Sequence, residues 1–128
     1  MERQSYRNKT KTQRGHLTIL GVYAPTEGRD ELNEEFYETL QKILHKVSKN
    51  DYIMLIGDMN ARVGNNGVAN IVGTNGEATL NSSGRKLIDF CTFNNLKIMN
   101  TFLNTKKFIN LLGKHEDTNQ LLITLLQI

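Results

Sequence analysis

Three polar side chains at alternate positions carry the clearest chemistry in this sequence. They are Asp58, Asn60 and Arg62, within the stretch YIMLIGDMNARVG from Tyr52 to Gly64. A carboxylate can accept a proton or orient a water, and a carboxamide can donate to an anionic oxygen. A guanidinium presents a planar fork suited to phosphate. In an extended chain Asn60 alternates onto the same side as Asp58. The Gly57-Asp58 pair equally fits a tight turn closed by a side-chain cap, and spacing alone leaves both readings open.

The elements that would hold these groups follow from the apolar pattern. Tyr52 to Ile56 is a continuous apolar run too short for a helix. It predicts a strand buried on both faces that breaks at Gly57. Upstream, Gly15 to Tyr23 reads GHLTILGVY and predicts a strand that stops at Ala24-Pro25-Thr26, because proline has no N–H for a ladder. Between them, Leu32, Phe36, Leu40, Ile43, Leu44 and Val47 form one stripe and predict a helix from about Asp30 to Ser48. Asp30, Glu31, Glu34 and Glu35 open that helix, and Lys42, Lys46 and Lys49 close it, as the helix dipole favours. Near its end, His45 reads as a solvated side chain rather than a ligand. Strand, helix, strand in this order predicts a right-handed βαβ unit with parallel strands. Tyr23 and Asp58 then end on one sheet edge, where open α/β sheets place ligands.

Gly64 to Ser83 is rich in Gly and Asn, the pattern of a long functional loop. No Gly-Lys-Ser/Thr follows, so a P-loop is unsupported. Ser82 or Ser83 starts a second helix through Asn94, with Leu87, Ile88, Cys91 and Phe93 as its buried side and Asn95 at its close. Leu96 to Phe102 predicts a third strand. Asn110 to Ile128 mixes a polar knot with an apolar tail, and an edge strand is the assignment it allows. His115, Glu116 and Asp117 are not assigned as metal ligands, since neighbours in an irregular run rarely converge on one ion.

At 128 residues the sequence is one domain or part of one, with a net charge of +3. Arg3, Arg7, Lys9, Lys11 and Arg14 crowd its start against Glu2 alone. This reads as a flexible basic arm, suited to a phosphate backbone or to solvation. No apolar run approaches the roughly 20 residues of a membrane helix. The one cysteine, Cys91, cannot form an internal disulfide and reads as a small buried hydrophobe, which suits a reducing, intracellular setting.

With Tyr23-Ala24-Pro25 and Gly57-Asp58-Met59-Asn60 in place, the sequence resembles the endonuclease/exonuclease/phosphatase superfamily. More narrowly, it resembles the apurinic-endonuclease-like nuclease domain of RTE-clade non-LTR retrotransposons, including craniofacial development protein 2-like chains. LTILGVYAPT, NDYIMLIGDMNARVG, NGEATLNSSGRKLIDFC and NNLKIMNTF carry the resemblance, in order, from Leu17 to Phe108. It implies an α/β fold, a partial four-layer DNase I-like sandwich of two packed mixed sheets. It also implies Mg2+- or Mn2+-dependent hydrolysis of DNA phosphodiester bonds and a nuclear location. By resemblance, Tyr23 would contact the scissile phosphate, Asp58 would activate or orient the attacking water, and Asn60 would hold a phosphoryl oxygen. Thr26 and Arg62 would contact backbone phosphate.

The family pattern has two strands upstream of VYAP, one ending in a catalytic Asn and the next in a metal-binding Glu. This sequence contains neither, so it reads as truncated; another segment or chain could supply those strands. The family's closing Asp/His motif is replaced by LLGKHEDTNQLLITLLQI. Codons for LGKHEDTNQLLITLLQI can be chosen so that a shifted frame reads WEARGHKSIIDYVIAN, close to the family ending. The expected organisation is therefore a basic arm (1–15), a partial nuclease domain (16–108) and a divergent, frameshifted tail (109–128). A non-catalytic nucleic-acid or protein-binding remnant is the competing reading.

Overall fold

The computed structural model describes residues 6–12, 15–104 and 123–127. Strand β2, Gly15–Tyr23, and strand β3, Tyr52–Asp58, are joined through helix α1, Asp30–His45. They pair in parallel, from Leu17 opposite Tyr52 to Tyr23 opposite Asp58. This is the βαβ unit expected from the apolar pattern. Helix α2, Ser82–Asn94, leads into the short strand β4, Leu96–Ile98. Among the described residues the strands form one five-stranded mixed sheet in the order β1-β2-β3-β5-β4.

Alternation along the strands divides the sheet into two unequal faces. Leu20, Val22, Ile53 and Leu55 are buried in one cluster with Leu40 and Leu44 of α1 and Leu87, Phe90 and Cys91 of α2. Both helices therefore cover the same face. Each of Leu20, Leu55, Leu87, Leu96 and Ile98 is fully buried, worth about 1.5–3 kcal/mol apiece relative to exposure. On the alternate face Leu17, Ile19, Met54 and Ile56 are only half-buried. Strand β3 is thus not buried on both faces. It also runs through Gly57 to Asp58 instead of breaking there.

Four other expectations are revised. Tyr6–Thr12, expected as part of a flexible arm, forms strand β1, antiparallel to β2. Its alternating Lys and Thr side chains suit an edge strand, where charge discourages further pairing. The tail strand β5, Ile123–Gln127, lies between β3 and β4, antiparallel to both, rather than at an edge. Its backbone partners are distant in sequence, so no local pattern announces them. Strand β4 stops at Ile98 and gives way to a 3-10 turn over Met99–Thr101. There the Thr101 hydroxyl donates to the Ile98 carbonyl at 2.6 Å and accepts from the Gly73 N–H at 2.8 Å. Finally, Phe93 is 77% exposed. It lies two residues past Cys91 and so about 200° around the helix from the buried side.

The glycine-rich loop is packed. Ile71, Val72 and Gly73 are buried, and the Ile98 N–H donates to the Ile71 carbonyl at 2.9 Å. No described helix is long and apolar enough to cross a membrane. His115, Glu116, Asp117 and most of the 109–128 tail lie outside the described residues.

Candidate functional site

The parallel register puts Tyr23 directly opposite Asp58 at the carboxyl ends of β2 and β3. Gly57 makes this closeness possible. Its φ is +151°, and a Cβ there would overlap the Val22 carbonyl oxygen. Past the strand ends the Ala24 N–H donates to the Asp58 carbonyl at 2.8 Å, while Ala24 and Met59 are fully buried. The edge is therefore anchored from beneath. Tyr23 above it is 57% exposed.

Asn60 does not continue the strand alternation. It adopts the left-handed conformation at φ +44°, which asparagine tolerates better than most residues. Its N–H donates to Asp58 Oδ1 at 2.8 Å, and its Nδ2 donates to the Ala24 carbonyl at 2.6 Å. Asp58, Asn60 and Ala24 thus close a small ring that orients the half-buried Asp58 carboxylate. The turn-and-cap reading of Gly57-Asp58 is correct locally, and it leaves the carboxylate at the edge.

Arg62 is held through its backbone by Asn81. The Arg62 N–H donates to Asn81 Oδ1 at 3.0 Å, and the Asn81 N–H returns a bond to the Arg62 carbonyl at 3.0 Å. A Cβ on Gly84 would overlap that same carbonyl oxygen, so α2 approaches Arg62 only because Gly84 is a glycine. Asn81 also caps α2, accepting from the Gly84 N–H at 2.8 Å. Glu27 joins this cluster by accepting from Asn81 Nδ2 at 3.1 Å and from the Ser82 hydroxyl at 3.1 Å. The Arg62 guanidinium pairs with Glu77 at 3.2 Å. Thr26 is exposed, and its carbonyl accepts from Asn33 Nδ2 at 3.3 Å.

Sequence reasoning named Tyr23, Asp58, Asn60, Thr26 and Arg62 but missed Glu27, Glu77 and Asn81. Asn81-Ser82-Ser83-Gly84 carried an N-cap signal for Asn81. Nothing local signals the long-range contacts of Glu27.

No protein-family model matches the chain. It is 44% identical over 87 residues to craniofacial development protein 2 of Tragulus javanicus, and likewise to that of Bos taurus. The chain is homologous to a segment of craniofacial development protein 2. The match takes in 67% of this chain and 15% of the length of each relative.

The Cys91 thiol is fully buried, and burial pushes its pKa up to about 12, which makes it a packing group. Arg7, Lys9 and Lys11 are exposed. They stand opposite Leu20, Thr18 and His16 in register, on the helix-covered face and away from Tyr23 and Asp58.

A second aspartate lies at the other end of β3. The Asp51 side chain is 4% exposed and pairs with Lys9 Nζ at 3.1 Å. It also accepts from the His16 N–H at 3.1 Å, with His16 Nδ1 3.5 Å away. Burial pushes its pKa up, but the Lys9 and His16 hydrogen bonds and nearby positive charge outweigh that and hold it below its ordinary value.

Proposed function

We propose that this chain is a retrotransposon-derived, endonuclease-like domain whose strand-end edge receives a DNA phosphate. The reaction of the family it resembles is Mg2+- or Mn2+-dependent hydrolysis of phosphodiester bonds. One observation carries the reading: Tyr23 and Asp58 pair in register at the carboxyl edge of two parallel strands. The exposed Tyr23 hydroxyl can donate to a phosphate oxygen. The Asp58 carboxylate, oriented by the Asn60 N–H, can hold a water beside it. Asn60 Nδ2 spends one hydrogen on Ala24 and carries a second for a phosphoryl oxygen. The Arg62 fork extends the same chemistry to a neighbouring phosphate.

A divalent ion, where bound, would stabilise charge developing on the phosphate. Among the described residues no group of three His, Cys, Asp or Glu converges as a metal site. The Asp58 carboxylate alone does not meet the ordered oxygen shell that Mg2+ demands. The edge is therefore assigned phosphate binding.

The test incubates the full chain and Asp58→Ala with supercoiled plasmid and an abasic-site duplex, in Mg2+ or Mn2+. Salt-sensitive DNA binding without nicking is expected from both. A folded chain with no DNA affinity would overturn the reading. Nicking that disappears in Asp58→Ala would mean that residues outside the described ones complete a metal site, making the chain an active endonuclease. The exposed Arg7, Lys9 and Lys11 side chains of β1 favour a second reading, a non-catalytic binding remnant. It expects neutralisation of β1 to weaken DNA binding and Arg62→Gln to leave it unchanged.

A further inference from the structure

At the strand-end cluster an ion pair joins Arg62, a candidate phosphate contact, to Glu77. Both side chains reach solvent, at 60% and 49% exposure, so neither is trapped by packing. Their backbones, in contrast, are fixed. Arg62 is bonded in both directions to Asn81. Glu77 follows Gly76, where a Cβ would overlap the Gly64 carbonyl oxygen, so its loop lies tightly against the segment that carries Arg62. A carboxylate is thus positioned against the guanidinium by contacts that do not depend on the ion pair. An exposed pair of this kind contributes little to stability. Its larger consequence concerns what else the fork can bind.

We infer that Glu77 is an internal competitor for the Arg62 fork, which a DNA phosphate must displace. This rests on the phosphate-binding reading of the edge. The Glu77 carboxylate meets the guanidinium at Nε, so a phosphate that binds bidentately through that edge must displace it. Displacement also leaves the Glu77 charge beside the incoming phosphate. Glu77 therefore lowers affinity for a polyanion and sets the number of phosphates that the edge neutralises.

The experiment titrates a short fluorescein-labelled duplex with the full chain in EDTA over a range of salt, reading anisotropy. Glu77→Gln is expected to bind several-fold more tightly at low salt. Its slope of log affinity against log salt should steepen by about 0.9, one more phosphate neutralised. Without Arg62 most of that gain should vanish, so Arg62→Gln/Glu77→Gln should bind only slightly more tightly than Arg62→Gln, by the part that is Glu77 repulsion. Equal affinity of wild type and Glu77→Gln would overturn the inference while leaving the phosphate reading intact. A full Glu77→Gln gain that persists without Arg62 would overturn it too, because Glu77 would then act by repulsion alone. Failure of wild type and every variant to bind would remove the phosphate reading and the inference together. Both positions are exposed, and circular dichroism would verify that each variant is folded.

Discussion

Two aspartates bracket β3, and they are treated in opposite ways. Asp51, just before the strand, is nearly inaccessible, with Lys9 and the His16 N–H arranged around its carboxylate. Asp58, the last residue of the strand, is half-buried and accepts from the Asn60 N–H beside an exposed tyrosine. A buried charge persists only when the protein supplies its partners. Asp51 thus acts as a clamp, tying the edge strand β1 to the β2–β3 pair. Asp58 keeps its access to solvent on a ring of hydrogen bonds that fixes its direction. One end of the strand serves stability and the other stays open to solvent.

The largest expected effect breaks the open end. Gly57→Ala would drive a Cβ into the Val22 carbonyl, costing about 3 kcal/mol, read as a lower denaturation midpoint in urea. Next comes the clamp. Asp51→Asn keeps an acceptor for the His16 N–H but loses the charge opposite Lys9, so thermal scans at neutral pH should show a melting temperature several degrees lower. The clamp also has a pH signature. The folded pKa of Asp51 is depressed, so its stabilisation is complete above the unfolded value of about 3.9 and is lost as pH falls through the folded value. Asp51→Asn should therefore flatten the acid limb of the stability profile below about pH 4.

A smaller effect is expected at the ring itself. Asn60→Ala removes the bond to Ala24 and places alanine at positive φ, a loss of about 1–2 kcal/mol in the same denaturation experiment. Smallest is Asp58→Asn, which retains an acceptor for the Asn60 N–H and should change stability by less than about 0.5 kcal/mol. A stability loss at Asp58 as large as that at Asp51 would erase the distinction between clamp and open end.

The βαβ unit was legible because each part is local. The α1 stripe, the stop at Pro25 and the apolar run before Gly57 each lie in one short window, and right-handed connectivity did the rest. The Tyr23–Asp58 juxtaposition followed from that connectivity. The α2 limits were legible from the Ser82-Ser83 start and from Asn95, which closes the helix at φ +52°. What stayed hidden depends on partners far along the chain. Strand β5 is defined by pairing with β3 and β4, and Glu27 matters only because it reaches Asn81 and Ser82. Asn60 failed differently. Alternation was extended one step past the strand, where a left-handed turn redirects its amide to Ala24.

The strand-end edge, and not the basic strand, is the surface proposed to receive DNA phosphate. Amide NMR of the full chain titrated with a short duplex tests it most directly. Shift changes that begin at Tyr23, Asp58, Asn60 and Arg62 and saturate together are expected. Changes confined to Arg7, Lys9 and Lys11, with the edge unmoved, would contradict it.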